Sequence, residues 1–377
     1  MKQKIKRLSV ALIALLLSLT LVLSAFAALS QSGVFAEKAY TDLVTFSDCQ
    51  SFGPAAFNNF GKVLRVMHND GLPEPDALLV GGDYSRLLND YATPGIIQLR
   101  DQYTSVYENG DPDDIITAQG NHDSRIPAFY PTGMYDMGTY CFYLINEDDY
   151  PWKQNVRTQG RKIVQKTAQN IKNSLDQMIE AGDRRPVIFI THVPLHHTDR
   201  TLGGDNKYAA CLFNVINEAA KTLDIIFLFA HNHSGDYDDY IGGSVNFMAP
   251  GDTVRIPNGE DKIKVGYSEE TLNFTYTNCG YIGYSKNTNS ATSTNVLSLG
   301  AIRFFADRFV FLKYTEDGLF RQDEVERKNA ASESDLQQAA TTANLKRNNE
   351  KLWEFEKKVF EPIVRFFLKI FNLLGIK

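Results

Sequence analysis

The sequence predicts an α/β protein with two packed β-sheets, and two observations carry that expectation. From about residue 42, short apolar runs rich in Val, Ile, Leu and Phe alternate with stretches of helical periodicity. Past about residue 240 the strand-like runs crowd together without helices between them, which argues a second sheet packed on the first. The body built from these runs is expected over residues 40–315.

The elements follow in order. Residues 1–36 read as a signal peptide or an N-terminal membrane anchor. Lys2, Lys4, Lys6 and Arg7 form a basic start, and residues 8–28 are an uncharged apolar run. Ala25-Phe26-Ala27 and Val34-Phe35-Ala36 both offer small residues for cleavage, and the run is long enough to span a bilayer if it is kept. Either way the basic start stays in the cytoplasm and the rest is expected outside it, extracellular or in the cell envelope. Residues 43–46, 77–80 and 115–118 read as strands, with helices over 57–67 and 96–107 between them. A long helix over 160–179 precedes a strand at 187–190, and a helix over 209–223 precedes a strand at 225–229. These strands are apolar throughout rather than alternating, as expected for strands buried on both faces. Residues 245–248, 272–276, 297–305 and 309–314 are strand-like, with a hairpin turn at Ala306-Asp307-Arg308.

Two further segments close the chain. Residues 316–350 are polar, rich in Ala, Ser, Gln and Asn, and read as a linker or exposed helix. Over residues 351–377, Leu352, Phe355, Val359, Ile363, Phe366, Ile370 and Leu374 recur at helical spacing. Lys357, Lys358, Glu361, Arg365 and Asn372 take much of the other side, and Pro362 kinks the helix or divides it. An aromatic, basic amphipathic helix of this kind lies in a membrane interface or docks on the protein's own surface, and the first reading is preferred.

Composition narrows the function. The chain has 377 residues, 43% hydrophobic and 22% charged, enough for one large core plus appendages. A net charge of -6 and the lack of a long basic stripe weigh against nucleic-acid binding. Cys49, Cys141, Cys211 and Cys279 form no C-x-x-C pair, so they read as buried free thiols rather than a zinc knuckle or a disulfide framework. Neither a G-x-S-x-G elbow nor a P-loop occurs.

The informative feature is where the polar residues fall. Asp48 and Gln50 follow the first strand, Gly81-Gly82-Asp83 the second, and Gly120-Asn121-His122-Asp123 the third. Thr191-His192 and His231-Asn232-His233 follow the next two strands. Five strand ends thus deliver metal-ligand side chains to one edge, where open α/β sheets bind ligands. Gly81, Gly82 and Gly120 let the backbone turn sharply and approach a ligand closely. Taken singly, Asp48 or Asp83 reads as a turn residue and His192 as a satisfied polar group. Taken together the set does not, because four of the seven histidines lie in these blocks. Carboxylate, amide and imidazole without thiolate suit manganese, iron or zinc, and so many donors suit two ions sharing a carboxylate.

This ordered series, Asp-x-Gln, Gly-Gly-Asp, Gly-Asn-His-Asp, Thr-His and Ala-His-Asn-His, resembles the calcineurin-like metallophosphoesterase superfamily. The resemblance spans about residues 42–315 and implies two packed β-sheets flanked by helices, an α/β/β/α sandwich. It implies that Asp48, Gln50, Asp83 and His233 hold one metal ion, and that Asp83 bridges to a second held by Asn121, His192 and His231. His122 would sit beside the phosphate, stabilising charge or protonating the leaving oxygen, with Asp123 orienting it or capping the loop. Two positions depart from the pattern. Gln50 stands where His is usual, a weaker ligand, and Ala230 stands where the last motif usually opens with Gly.

His196 and His197 begin a polar loop beside the expected pocket, and one of the two is expected to contact substrate. His68 reads as a surface residue. The expected function is an exported hydrolase of phosphomonoesters or phosphodiesters, with a hydroxide bridging two metal ions as nucleophile. The rival is a metal-binding envelope protein of the same fold with lost or weak turnover, Gln50 being its symptom. Expected partners are a phosphate-ester substrate, a membrane surface through residues 351–377, and no nucleic acid beyond a nucleotide substrate.

Overall fold

The first strand, β1 (Thr41–Phe46), is buried along its whole length, yet its side chains divide between two cores. Val44 and Phe46 point to one side and Leu43 to the other, because successive residues of a strand face opposite ways. The same division recurs in β2 (Ala77–Val80), where Leu78 and Val80 join the first core and Ala77 and Leu79 the second. This is why both strands carry apolar residues on both faces. The computed structural model describes residues 35, 37–49, 55–83, 92–108, 115–123, 130–152, 154, 159–196, 206–231, 247–259, 266–283 and 297–331. The apolar start over 8–28 and the amphipathic stretch over 351–377 lie outside these residues. No helix among the described residues is long and apolar enough to cross a membrane.

Two sheets face each other. In the first, β1, β2 and β3 (Ile115–Thr117) are parallel, and β1 continues antiparallel to β13 (Ser298–Phe304), β14 (Arg308–Thr315) and β15 (Gly318–Glu326). The short β12 (Gly280–Tyr281) also pairs with β13. The second sheet runs β4 (Gly133–Asp136), β5 (Cys141–Ile145), β6 (Val187–Thr191), β7 (Ile225–Phe229), β11 (Thr275–Asn278), β8 (Phe247–Met248), with β5, β6, β7 and β11 parallel. A separate hairpin joins β9 (Thr253–Pro257) to β10 (Tyr267–Thr271).

Helices cover the two outer faces. Helix α1 (Ala55–Asn69) lays Phe57, Phe60, Leu64 and Met67 on the first sheet, and α2 (Ala92–Thr104) adds Leu99 and Tyr103. Helix α3 (Gly160–Glu180) lays Val164, Ile171 and Leu175 on the second sheet beside Leu212, Phe213 and Ile216 of α4 (Ala209–Ala219). Between the sheets, Leu79 and Ile116 meet Leu144, Ile190 and Leu228 in a middle core. The layers are helix, sheet, sheet, helix. The turn at Ala306-Asp307 forms as expected, closed by the amide of Phe305 donating to the carbonyl of Arg308 at 2.9 Å.

One expectation is corrected. The polar stretch assigned to a linker from residue 316 opens with β15, so the sheet extends past the boundary at 315. Leu319, Arg321, Asp323 and Val325 are half-buried, whereas Phe320, Gln322, Glu324 and Glu326 are exposed. The period of two is present, but polar residues occupy its inner face. Arg321 Nε there binds Asp323 at 2.6 Å, and its guanidinium lies 5.5 Å over the Phe247 ring. A chain that looks for an apolar stripe finds none on such an edge strand.

Candidate active site

Five loops at the carboxyl ends of parallel strands meet where the two sheets come together. Asp48 follows β1, Asp83 follows β2, and Asn121, His122 and Asp123 follow β3, all in the first sheet. His192 follows β6 and His231 follows β7, both in the second. Backbone hydrogen bonds sew the loops together. The amide of Asp48 donates to the carbonyl of Gly82 at 3.0 Å, and that of Ala230 to the carbonyl of His192 at 3.1 Å. Between sheets, the amide of His231 donates to Asp48 Oδ2 at 3.0 Å, and His192 Nδ1 lies 2.8 Å from the carbonyl oxygen of Gly81.

Glycines make this approach feasible. A Cβ on Gly120 would stand 2.2 Å from Asp83 Oδ1, and one on Gly82 would stand 2.5 Å from the Gly120 nitrogen. Among the described residues, the non-glycine residues with positive φ are Asp48 (56°), Asp83 (58°) and His231 (70°). Each left-handed conformation costs about 1–3 kcal/mol and persists only where its surroundings impose it. All three are candidate ligands, so the strain is concentrated where side chains must be aimed inward.

The centre itself is a convergence of electron-pair donors. His192 Nε2 has Asn121 Oδ1 at 2.9 Å, His231 Nδ1 at 3.0 Å and Asp83 Oδ2 at 3.3 Å. The contact of Nδ1 with the Gly81 carbonyl places a proton on Nδ1, which in the neutral ring turns the Nε2 lone pair toward these groups. Lone pairs then face lone pairs unless positive charge stands among them. Burial would pull His192 down, but the Asp83 carboxylate, with Asp48 behind it, outweighs burial and raises its pKa to about 9. The same ion pair holds Asp83 below the usual carboxylate range despite its burial. Asp83, His192 and His231 present ligand atoms within 4.8 Å of one another, all buried. Donor set, field and spacing therefore fit a cation.

Asp123 is buried and ties two loops, its Oδ2 accepting the amides of Asp83 at 2.7 Å and Gly120 at 2.8 Å. Burial, then the Asp83 charge, push its pKa up to about 7 against those two amides. His122 and Asn121 are half-buried, and the His122 amide donates to Asp83 Oδ1 at 2.9 Å. Gln50, His197 and His233 lie outside the described residues. His196 is a correction. It is fully buried, its Nδ1 is 2.7 Å from Tyr276 Oη, and its ring packs edge-on against Phe229. It packs into the core against Phe229 and Tyr276.

Some residues at the site carried no signal in sequence. Asn146 Oδ1 accepts the Gln119 amide at 2.9 Å, which props the loop after β3. The Trp152 ring lies 3.8 Å from the His231 ring, centroid to centroid, across 79 positions of chain. The four cysteines are free, as expected.

Residues 42–235, just over half of the chain, match the family model for calcineurin-like phosphoesterases. The chain belongs to this family. It is a metallophosphoesterase, of a family that is dinuclear and metal-dependent. Among solved structures, a dimetal phosphatase from Danio rerio is similar over 77% of this chain and 100% of that one, at 10% identity and a TM-score of 0.47. GAP50, the anchor in the inner membrane complex of Plasmodium, is similar over 82% and 96%, at 12% identity and 0.43. Vps29 from Entamoeba histolytica is similar over 76% and 98%, at 12% identity and 0.31. Among curated proteins, no relative matches the chain.

Proposed function

We propose that this metallophosphoesterase is an exported hydrolase of phosphomonoesters or phosphodiesters, with Asp83 as the carboxylate shared by two metal ions. One observation carries the reading: the three groups that meet at His192 Nε2 come from both sheets and form with it a buried, electron-rich cradle. Asn121, His192 and His231 would hold one ion with Asp83, while Asp48, Gln50 and His233 would hold the other. When bound, such a pair lowers the pKa of water and neutralises phosphate oxygens, and manganese, iron and zinc all suit this donor set. The chain's own residues then divide the remaining work. The half-buried His122 is held at the mouth by its amide on Asp83, where its imidazole can stabilise phosphate charge or protonate the leaving oxygen. Asp123 keeps the Asp83 and Gly120 amides in register, so it positions the ligands rather than touching substrate. The basic start and apolar run over residues 1–36 support export, and the amphipathic stretch over 351–377 supports a membrane surface as partner.

The test compares the protein with Asp83→Asn after metal is stripped and restored. Aryl phosphate mono- and diesters should be hydrolysed after reloading with manganese, iron or zinc, and Asp83→Asn should abolish turnover while keeping the fold. Bound metal without turnover under all three ions would favour the inactive metal-binding protein. Near-normal turnover in Asp83→Asn would sink the shared carboxylate.

A further inference from the structure

Most of the described ligand-type side chains at the centre are closed off. Asp48, Asp83, Asp123, His192 and His231 are buried, whereas Asn121, His122 and Trp152 retain exposure. Among the described residues at the centre, those three are the ones that solvent reaches. Asn121 and His122 lie on the loop after β3, in the first sheet. Trp152 comes from the loop after β5, in the second, and its indole reaches the centre through the His231 ring.

Trp152 is held there by two contacts of different kinds. Its backbone amide donates to Glu147 Oε1 at 3.2 Å, and its ring packs on the core beneath α3 and α4. The indole lies tilted by 53° on the His231 ring with centroids 3.8 Å apart, so one side is spent on a buried ligand and the remainder stays open. A half-buried indole keeps some wetted apolar area, and a flat or apolar ligand group that covers it removes that cost. Nothing in the metal chemistry requires a tryptophan here, since the His231 ring already meets His192 Nε2 through its Nδ1 at 3.0 Å.

We propose that Trp152 is a specificity-determining residue: its indole forms an aromatic wall that receives a flat ester group, aryl or nucleobase-bearing, attached to the phosphate at the metal centre. This deepens the proposed function and rests on it. The wall discriminates by stacking, which every planar ring can supply and a short alkyl or polyol chain cannot.

The experiment uses the full chain reloaded with manganese, together with Trp152→Leu and Trp152→Phe. The readout is kcat/KM for phenyl phosphate divided by kcat/KM for glycerol phosphate, so intrinsic ester reactivity cancels between variants. In Trp152→Leu this ratio should fall by up to about tenfold, the upper end of what an aromatic pair contributes beyond burial, and the fall should lie in KM. Trp152→Phe should hold the ratio to within about threefold. Equal losses on both esters, with weaker manganese binding, would mean that Trp152 merely buttresses His231, and the proposal would be overturned. A second readout needs no turnover. The chain has two tryptophans, so Trp353→Phe leaves Trp152 as the sole emitter. Its fluorescence should respond to phenylphosphonate and not to methylphosphonate; equal or absent responses overturn the wall. If no ester is hydrolysed and the phenylphosphonate response persists, the hydrolase reading fails and the aromatic wall stands.

Discussion

Replacing Gly120 by Ala adds one methyl group at the point where the loops after β2 and β3 touch. That methyl would lie 2.2 Å from Asp83 Oδ1, 2.5 Å from the Asp83 nitrogen and 2.9 Å from Asp83 Cγ, whereas ordinary contact begins at 3.4 Å. Asp83 must therefore retreat by about 1.2 Å, the shortfall between 2.2 and 3.4 Å, and the backbone contact prevents it from doing so by rotating a side chain alone. Gly120 has no positive φ, so the substitution adds no backbone strain of its own and isolates the steric effect. Overpacking of this size costs about 1–3 kcal/mol of stability. A misplacement of about 1 Å in a catalytic constellation costs on the order of a hundredfold in rate. Gly120→Ala should thus remain folded, with a lowered melting temperature, weaker metal binding and kcat/KM down by about two orders of magnitude. Gly133→Ala is the control, because a Cβ there meets nothing within 4 Å. Metal content by elemental analysis, thermal melting and phenyl phosphate hydrolysis on both variants decide the matter. Unchanged metal content and rate in Gly120→Ala would refute the argument that a methyl at this position displaces Asp83.

Two further outcomes follow from charge and from the chain ends. With no ion bound, His192 has its pKa raised from 6.5 to about 9, so its proton stabilises the ion-free fold fully below about pH 6.5 and that contribution is lost as pH rises through 9. A metal must displace the same proton, so affinity should climb by up to about tenfold per pH unit over that range, and chelator competition giving equal affinity at pH 6 and 8 would contradict it. Deleting residues 351–377 should move the leader-free protein from the membrane to the soluble fraction; a truncated chain that still sediments with membranes would make that helix structural.

Much of this architecture was legible because burial on both faces leaves an unmistakable pattern. Residues 187–190 and 225–229 are apolar throughout, and 43–46 apolar but for Thr45, since each strand feeds two cores at once. The meeting of Asp83, Asn121, His192 and His231 was legible for a different reason: Asp, Asn and His fall directly after strands, where the chain can turn toward a shared edge. What escaped was whatever depends on closure across long separations. Trp152 and Asn146 look like ordinary loop residues until the strands place them against His231 and the Gln119 amide. His196 misled because polarity suggested a pocket, whereas Tyr276 satisfies its ring nitrogen inside the core. Strand β15 escaped because Arg321 and Asp323 interrupt its inner face between Leu319 and Val325.

The division of the candidate ligands between the sheets makes the centre a gauge of their alignment. Asp83 and Asn121 move with one sheet, His192 and His231 with the other, and the layer holding Leu79, Ile116, Ile190 and Leu228 sets how the two slide. A densely packed layer transmits small volume changes instead of absorbing them. Preference among ions of different radius can therefore drift through conservative exchanges in that apolar layer, with every ligand intact and every site motif unaltered.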